Sequence, residues 1–239
     1  MKSDFLNIVK PLGKSAPEAI FQRLSDAIAT GELRPGDRLP SEANLAASLG
    51  VAVMTLRRAL EPMRQLGLIE ARRGRGGGNF VSDRAEEHFA RLARELHFSR
   101  QEARDLTDWR RAVSGEASYL AAERASAAQL KEMDSASLQF DQNIADAQEA
   151  RAADAKFHLK VSEASGSARL YNEEAQIQVE ISKLLLHGPF KGAARATVSG
   201  AHTSLLKAIV ARDGDLARRE LIVHVEETFS WIAPLLAAK

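Results

Sequence analysis

A run of helix, turn, helix and basic hairpin occupies much of the first third of the chain. From Gly31 to Ser82 the sequence reads GELRPGDRLPSEANLAASLGVAVMTLRRALEPMRQLGLIEARRGRGGGNFVS. Ser41 is a suitable N-cap for one helix, Gly50 is a suitable stop, and a second helix follows the next turn. This order is typical of a winged helix-turn-helix, which places one helix in the major groove of DNA. The stretch therefore predicts a unit that binds DNA.

The neighbouring elements are predicted from the residues that start and end them. Ser15 and Glu18 form a capping box, so a helix should begin there and end at Gly31. The helix after the turn should run to about Gln65, and Pro62 should kink or shorten its last turns. Two strands and a flexible wing loop should follow; the strands are 68–71 and 79–81, and the loop is 72–78.

Composition limits the remaining possibilities. A chain of 239 residues is long enough for two domains. We expect a DNA-binding domain at 1–83, a linker helix at 84–98 and a second domain at 99–239. Cysteine is absent, which excludes disulfides and thiolate chemistry. No apolar run reaches membrane-spanning length, so we expect no membrane partner and a cytoplasmic location.

The charge of the chain is unevenly distributed. The net charge is only +1, yet residues 1–83 carry 12 Lys/Arg against 9 Asp/Glu, whereas residues 84–239 carry 21 against 23. A basic first domain on a nearly neutral protein suits a face that contacts DNA. The residues expected to reach bases or phosphates are Thr55, Arg57 and Arg58 on the helix after the turn, and Arg72, Arg73, Gly74 and Arg75 in the wing.

After residue 84 the strand signals disappear, and alanine-rich helical periods predict an all-α second domain of about six or seven helices. Three of these helices should start at the caps Ser99, Ser126 and Asp146, and a later one should span about Gly200–Arg212.

The sharpest signal in the second domain is the pair Asp154 and His158, which share a helix face. That pair alone is also typical of an exposed contact or a cap. His202 and His224 lie among apolar residues, where each could equally be a core histidine. Convergence of all four would favour a divalent ion, because buried neutral imidazoles need partners.

Several short motifs occur in a recognisable order along nearly the whole chain, from about Ser15 to Trp231. In the first domain they include Leu33-Arg-Pro-Gly36, Leu39-Pro-Ser-Glu42, Leu49-Gly-Val51 and Gly78-Asn-Phe-Val81. In the second they include Arg110, Asp154-Xaa2-Phe-His158, Ala164-Ser-Gly166, His202 and His224. The chain resembles a GntR-family transcriptional regulator of the FadR subfamily, whose C-terminal half is the helical FCD ligand-binding domain. The fold class that follows is mainly α, with a two-stranded wing.

This resemblance implies a set of binding residues in the second domain. Asp154, His158, His202 and His224 would ligate a divalent metal, commonly zinc or nickel in such domains. Arg110 would pair with the carboxylate of a small organic-acid effector held at the metal, and Arg195 would be a further contact. The effector would be a hydroxy acid, a keto acid or a sugar acid. The regulator, expected to be a repressor, would be a homodimer on a pseudopalindromic operator of double-stranded DNA.

The chain also departs from the pattern of the family. Ala43 replaces a usual Arg, and Ala52-Val53 replaces the usual Ser/Thr-Arg of the turn. Positions that usually contact DNA in the family are therefore apolar in this chain. In the second domain the departures are Ser114 for a Glu, Ala201 for a Glu and Ser167 for an Asn. The first group bears on the operator sequence, and the second bears on the groups around the metal ligands.

Two other interpretations remain open from sequence. A site of three histidines and one aspartate could activate water in a metalloenzyme, although no general base stands beside it as in His-Glu-Xaa2-His. The metal could also be purely structural, with the effector bound elsewhere. We expect a regulator without enzymatic activity.

Overall fold

Two units make up the computed structural model, which describes residues 15–85, 87, 88, 99–185 and 200–236. Their bounds are Met1–Glu95 and Leu96–Lys239. The mainly helical fold class predicted from sequence is confirmed. The predicted linker helix falls largely outside the described residues. No helix in the described part of the chain is both long and apolar enough to cross a membrane.

The first unit contains three helices and one hairpin. Their bounds are Ala16–Ala29 for α1, Glu42–Ser48 for α2, Val53–Gln65 for α3, Ile69–Arg72 for β1 and Gly78–Val81 for β2. The backbone N–H of Ser15 donates to the carboxylate of Glu18, as the capping box predicts. Gly50 ends the turn after α2 with a φ of 63°, a conformation that glycine adopts without strain.

A single apolar core joins the helices and the hairpin of this unit. Helix α3 packs against α1, α2 and β1. The largest fully buried side chains are Ile20, Ile28, Leu45, Leu56, Leu60, Met63, Leu68 and Ile69. Burial of this one face of α3 holds the helix in place, and the opposite face is left in solvent.

Helix α3 continues through Pro62 to Gln65, the predicted end, so Pro62 does not shorten it. Pro62 removes one backbone hydrogen bond, to the carbonyl of Arg58. Both residues are exposed, so water can satisfy that carbonyl.

The hairpin pairs Ile69 with Val81 and Arg72 with Gly78. Strand β1 is therefore shifted by one residue from its prediction, and β2 begins one residue earlier than predicted and ends where predicted. Arg72 and Gly78 belong to the strands rather than to the loop. Residue Arg38 of the connector adds an isolated antiparallel bridge to Phe80.

The second unit is a bundle of six helices in the described residues, followed by a short 3-10 turn at Ala233–Leu235. The helices are α4 at Arg100–Arg124, α5 at Ala127–Gln142, α6 at Ala147–Ala164, α7 at Ala168–Leu185, α8 at Thr203–Val210 and α9 at Gly214–Ile232. Ser99, Ser126 and Asp146 cap α4, α5 and α6, as predicted.

Helix α4 lies at the centre of this bundle and packs against α6, α7, α8 and α9. Small residues on α4, among them Ala121 and Ala122, let the larger side chains Phe157, Leu205, Ile209 and Leu221 approach closely. Helix α8 begins at Thr203, a few residues later than predicted, so His202 is its N-cap. This places His202 at the buried end of a helix.

Candidate functional site

The exposed face of α3 carries the helix residues predicted to contact DNA. Arg57 and Arg58 are exposed, and Thr55 is half-buried. The Nε of Arg57 donates to Oε2 of Glu42 at 2.7 Å. These three residues lie in the first two turns of α3, the part of such a helix that contacts base edges. Ala52 is the N-cap of α3 and makes no side-chain capping bond.

The wing residues differ in how free their charges are. Arg72 is bonded to Glu70 at 2.6 Å, and its Cζ lies 4.4 Å from the centre of the Phe80 ring. Arg73 and Arg75 are exposed and make no ion pair with any described residue. Gly74 between them has a φ of 96°. The wing therefore offers two unpaired guanidinium groups, and Arg72 also braces the hairpin through Glu70 and Phe80.

Two exposed residues near this surface escaped the sequence reasoning. Arg38 donates from Nη2 to the backbone oxygen of Gly77 at 2.7 Å and lies beside the Phe80 ring. Met54 is 60% exposed on α3. The bridge between the connector and β2, which brings Arg38 to the wing, has no local signal in the sequence. The exposure of Met54 could have been predicted, because Thr55, Arg57 and Arg58 had already defined the solvent-facing side of the same helix.

The second unit brings Asp154, His158, His202 and His224 together. Their ligand atoms all lie within 4.8 Å of one another. Oδ1 of Asp154 is 3.0 Å from Nε2 of His202 and 3.8 Å from Nε2 of His158. The three imidazole rings have centroids 5.2 to 5.3 Å apart. Helices α6 and α9 and the N-terminus of α8 thus supply one buried cluster.

Apolar packing fixes the orientation of these rings. Phe157 is fully buried and stacks on His202 with ring centroids 4.1 Å apart, and Phe140 contacts the same ring. The residue after Phe157 on α6 is His158, which is 2% exposed. The packing that anchors α6 therefore also aims two ligands of the cluster.

Burial sets the protonation of the cluster. It lowers the pKa of His158 well below the ordinary value, and the positive charge of Arg110 lowers it further. The same two causes lower the pKa of His224 to about 3. Burial would raise the pKa of Asp154, but the hydrogen bond from His202 and the charges around it hold that pKa well below the usual range. Neutral imidazoles and an ionised carboxylate are the forms that bind metal.

These residues fit a divalent ion. Three nitrogen ligands and one carboxylate oxygen form a donor set that zinc and its neighbours accept. Their ligand atoms, all within 4.8 Å of one another, would have to move closer together to reach the metal–ligand distances of about 2.0–2.2 Å that zinc requires. Nδ1 of His202 is buried and has no hydrogen-bond partner in the described residues. The cluster could therefore hold a metal.

Arg110 is the positive group of this site. It lies on α4, is 2% exposed, and has Nη2 2.8 Å from Nε2 of His158. Its Nε is buried without a partner among the described residues. A guanidinium this deep in a protein is costly unless an anion compensates it. The second expected effector residue, Arg195, lies outside the described residues.

Glu174 on α7 was missed by the sequence reasoning. It is 1% exposed, and its two oxygens accept from Ser114 Oγ at 2.5 Å and from Gln178 Nε2 at 2.7 Å. Burial raises its pKa, and the charge of Arg110 opposes that rise. The resemblance implies a Glu at position 114, and here a carboxylate from α7 lies beside the Ser114 hydroxyl instead. That departure from the family pattern was the available signal.

A small cavity opens beside Arg110 between α4, α7 and α9. Its other walls are mostly apolar and include Ile181, Val225 and Phe229. Two threonines also line it, Thr107 and Thr228, but their hydroxyls donate to backbone carbonyls of their own helices. The cavity is therefore apolar except at the arginine.

Each of the two units matches a known protein family. The family described as "Bacterial regulatory proteins, gntR family" matches residues 17–78, and the FCD domain matches residues 105–227. A putative HTH-type transcriptional regulator, RmpR of Mycobacterium gastri, is 36% identical over 219 residues, which cover 87% of this chain and 77% of the relative.

Two more distant proteins are similar over most of their length. A putative L-lactate dehydrogenase operon regulatory protein of Escherichia coli is 27% identical over 230 residues, covering 90% of this chain and 85% of the relative. The solved structure of E. coli McbR/YncC has a TM-score of 0.53 at 19% identity and covers 92% of this chain and 97% of its own. At that identity the structural match supports the fold alone.

Proposed function

Because this chain belongs to the gntR family of bacterial regulatory proteins and carries an FCD domain, we propose that it is a repressor whose affinity for DNA is controlled by a small carboxylate. The family is one of transcriptional regulators, not of enzymes. The observation that carries the proposal is Arg110, a buried guanidinium 2.8 Å from a histidine of a buried cluster. The proposed repressor acts in the cytoplasm. It consists of a DNA-binding domain at 1–83, a linker at 84–98 and an effector domain at 99–239.

The exposed arginines of the first unit support the DNA-binding role. Arg57 and Arg58 would enter the major groove with α3, accompanied by Thr55, and the wing would contact phosphates or the minor groove through Arg72, Arg73, Gly74 and Arg75. A homodimer would present two such faces, so the operator would be pseudopalindromic. The apolar residues Ala43, Ala52 and Val53 leave more of the base preference to Arg57 and to DNA shape.

The electrostatics of the second unit support an anionic effector. Asp154, His158, His202 and His224 would hold the ion, and zinc or nickel suits this set of nitrogen and oxygen ligands. The ion would supply an open coordination position for a carboxylate oxygen. Arg110 would donate to the same carboxylate, and Arg195 is a further proposed contact. The bound carboxylate, together with the ionised Asp154, would then offset most of the buried positive charge of the arginine and the ion.

The walls of the cavity indicate what the effector carries besides its carboxylate. An apolar cavity suits a short hydrocarbon substituent and disfavours the many hydroxyls of a sugar acid, because each would need a hydrogen-bond partner. We therefore favour a small hydroxy or keto acid. The name of the E. coli relative, a regulator of an L-lactate dehydrogenase operon, agrees with this class.

Elemental analysis and DNA binding test the proposal together. The full-length protein should contain about one zinc or nickel per chain. In vitro selection should enrich a pseudopalindromic duplex, and a panel of small hydroxy and keto acids should include one that weakens binding to it. If an acid binds the protein but leaves its affinity for DNA unchanged, control by that acid is contradicted. An effector changes DNA affinity only if it binds the DNA-bound and DNA-free states of the protein with different affinities.

A purely structural metal predicts a different pattern. Arg110→Met would then leave the effector response intact, whereas His158→Ala would unfold the domain. We expect the opposite for Arg110→Met, namely metal retained and response lost.

A further inference from the structure

We infer that Glu42 is a positioning residue that fixes the guanidinium of Arg57 for base recognition, which rests on the proposed DNA-binding function. Glu42 is the first residue of α2, outside the helix that enters the groove. Its Oε2 accepts from Nε of Arg57 at 2.7 Å, and its Oε1 accepts from Nη2 of Arg64 at 3.2 Å. One carboxylate thus contacts two arginines of α3 that lie two turns apart.

The carboxylate is held firmly enough to orient a flexible partner. Arg64 also donates from Nη2 to Oδ1 of Asn79 at 3.0 Å, which ties it to β2. The Glu42 side chain is 24% exposed and that of Arg64 is 26% exposed, whereas that of Arg57 is 57% exposed. The fixed end of the network therefore lies in the protein and its free end points to solvent. Hydrogen bonding to Arg57 also lowers the pKa of Glu42, so the carboxylate stays ionised at neutral pH.

The bond to Nε leaves the useful donors of Arg57 free. A guanidinium carries five N–H donors in a rigid plane, and Glu42 occupies the Nε edge. Its two Nη groups make no hydrogen bond with any described residue. A bidentate contact to O6 and N7 of guanine needs two such donors side by side. Glu42 holds these donors in one orientation, so less side-chain entropy is lost when the base binds.

A carboxylate beside DNA also repels phosphates, and this separates the inference from a general stabilising role. Glu42→Gln removes both the repulsion and the strong acceptor. Binding to the correct sequence should weaken, and binding to an unrelated duplex should stay the same or tighten. If Glu42 only stabilised the fold, its loss would weaken binding to both duplexes together.

Glu61→Gln is the matched control. Glu61 lies on α3 and pairs with Arg64 at 3.1 Å, so its substitution removes one negative charge from the same network. It makes no contact with Arg57 in the described structure. This variant should change binding to both duplexes by a similar factor and keep the ratio of the two affinities.

The experiment compares full-length proteins on two probes, a duplex enriched by in vitro selection with the wild type and a shuffled duplex of equal length. Dissociation constants are measured by fluorescence anisotropy, and single-base variants of the selected duplex locate the base read by Arg57. Glu42→Gln should reduce the ratio of specific to shuffled affinity by about tenfold, at the base where Arg57→Ala also removes preference. The double variant should discriminate no worse than Arg57→Ala alone.

Two results would overturn the inference. One is an unchanged ratio of the two affinities in Glu42→Gln, which equal weakening on both probes would also give. The other is tighter binding to the selected duplex, which would mean that Glu42 withholds Arg57 from DNA. Glu42→Asp, which keeps the charge but shortens the reach, should lose discrimination as well and supplies the test if Glu42→Gln does not fold. Failure of the wild type to enrich any sequence would instead contradict the proposed function itself.

Discussion

The first unit holds its functional charges at the surface, and the second holds them in its interior. The side chain of Arg57 is 57% exposed and paired with one carboxylate, whereas Arg110 is 2% exposed and contacts the imidazole of His158. Surface ion pairs contribute little to folding, because water screens them. Buried charges are costly until they are compensated. The stability of the second unit should therefore depend on its ligands, while removal of a charge from the exposed face of the first should change its affinity for DNA and leave its stability almost unchanged.

Metal removal should have the largest effect on stability and should be confined to the second unit. An ion present at 100 times its dissociation constant adds roughly 2.7 kcal/mol to the free energy of unfolding. Chelation should therefore lower the melting temperature of the wild type, and addition of zinc or nickel should restore it. Differential scanning calorimetry measures both changes.

His158→Ala should bind no metal and show no response to chelation. Arg57→Ala is its control, because it leaves the cluster untouched and should respond like the wild type. Equal responses in these two variants would break the contrast between buried and exposed charges.

Loss of the buried Arg110 should have a somewhat smaller effect than metal removal, and the effect should be on effector binding. Arg110→Met removes the proposed charged hydrogen bonds to the effector, worth about 1.5–3 kcal/mol, and should abolish the thermal shift caused by the active carboxylate. Metal content, measured by elemental analysis, should remain at the wild-type level.

Arg104→Met is the control, and it tests whether any arginine of α4 is sufficient for the carboxylate response or whether the arginine must be buried. Arg104 lies on the same helix but pairs with Glu226 and Asp108 near the surface. It should keep the carboxylate response. A lost response in Arg104→Met with a retained one in Arg110→Met would show that the effector site is elsewhere.

Substitution on the exposed face should change DNA affinity without changing stability. Arg57→Ala should cost about 1–3 kcal/mol of specific binding and relax the preference at one base. Its free energy of unfolding should stay within about 0.5 kcal/mol of the wild type, as is usual for surface positions. Anisotropy titration and calorimetry on the same samples measure the two quantities. A large loss of stability would mean that Arg57 supports the fold.

The smallest effect expected is a gain in stability at the start of α3. Ala52 occupies the N-cap without a side-chain capping bond, so Ala52→Ser should add an acceptor for a backbone N–H there and contribute about 1 kcal/mol. The matched control is Ala43→Ser, because Ala43 is also exposed but lies inside α2, where serine has no such partner. Calorimetry should show a higher first-unit melting temperature only for Ala52→Ser.

Local signals in the sequence were sufficient for most of the fold. The capping residues Ser99, Ser126 and Asp146 start the helices that were predicted from them, because a cap acts on backbone groups only two or three residues away. Three of the four strand ends were wrong by one residue, because the register depends on which residues pair across the loop. Pro62 was expected to kink or shorten the last turns of its helix, but the helix runs on to Gln65, the end that its other residues predict.

The buried site depends on contacts between residues far apart in sequence. Asp154 and His158 could be placed on one face from their spacing, but the contact between Asp154 and His202 spans 48 residues and requires the bundle. Glu174 was missed because a glutamate on a helix is usually exposed. Only the packing of α7 against α4 brings it to Ser114.

The most direct test of the account is the coupling between the carboxylate and DNA. The affinity of metal-loaded, full-length protein for the selected duplex is measured with and without the active acid, in the wild type and in Arg110→Met. We predict that the acid weakens wild-type binding about tenfold and that DNA weakens acid binding by the same factor, since coupling is reciprocal. Arg110→Met should bind the duplex normally and ignore the acid. An Arg110→Met protein that releases DNA in response to the acid as the wild type does would contradict the central claim.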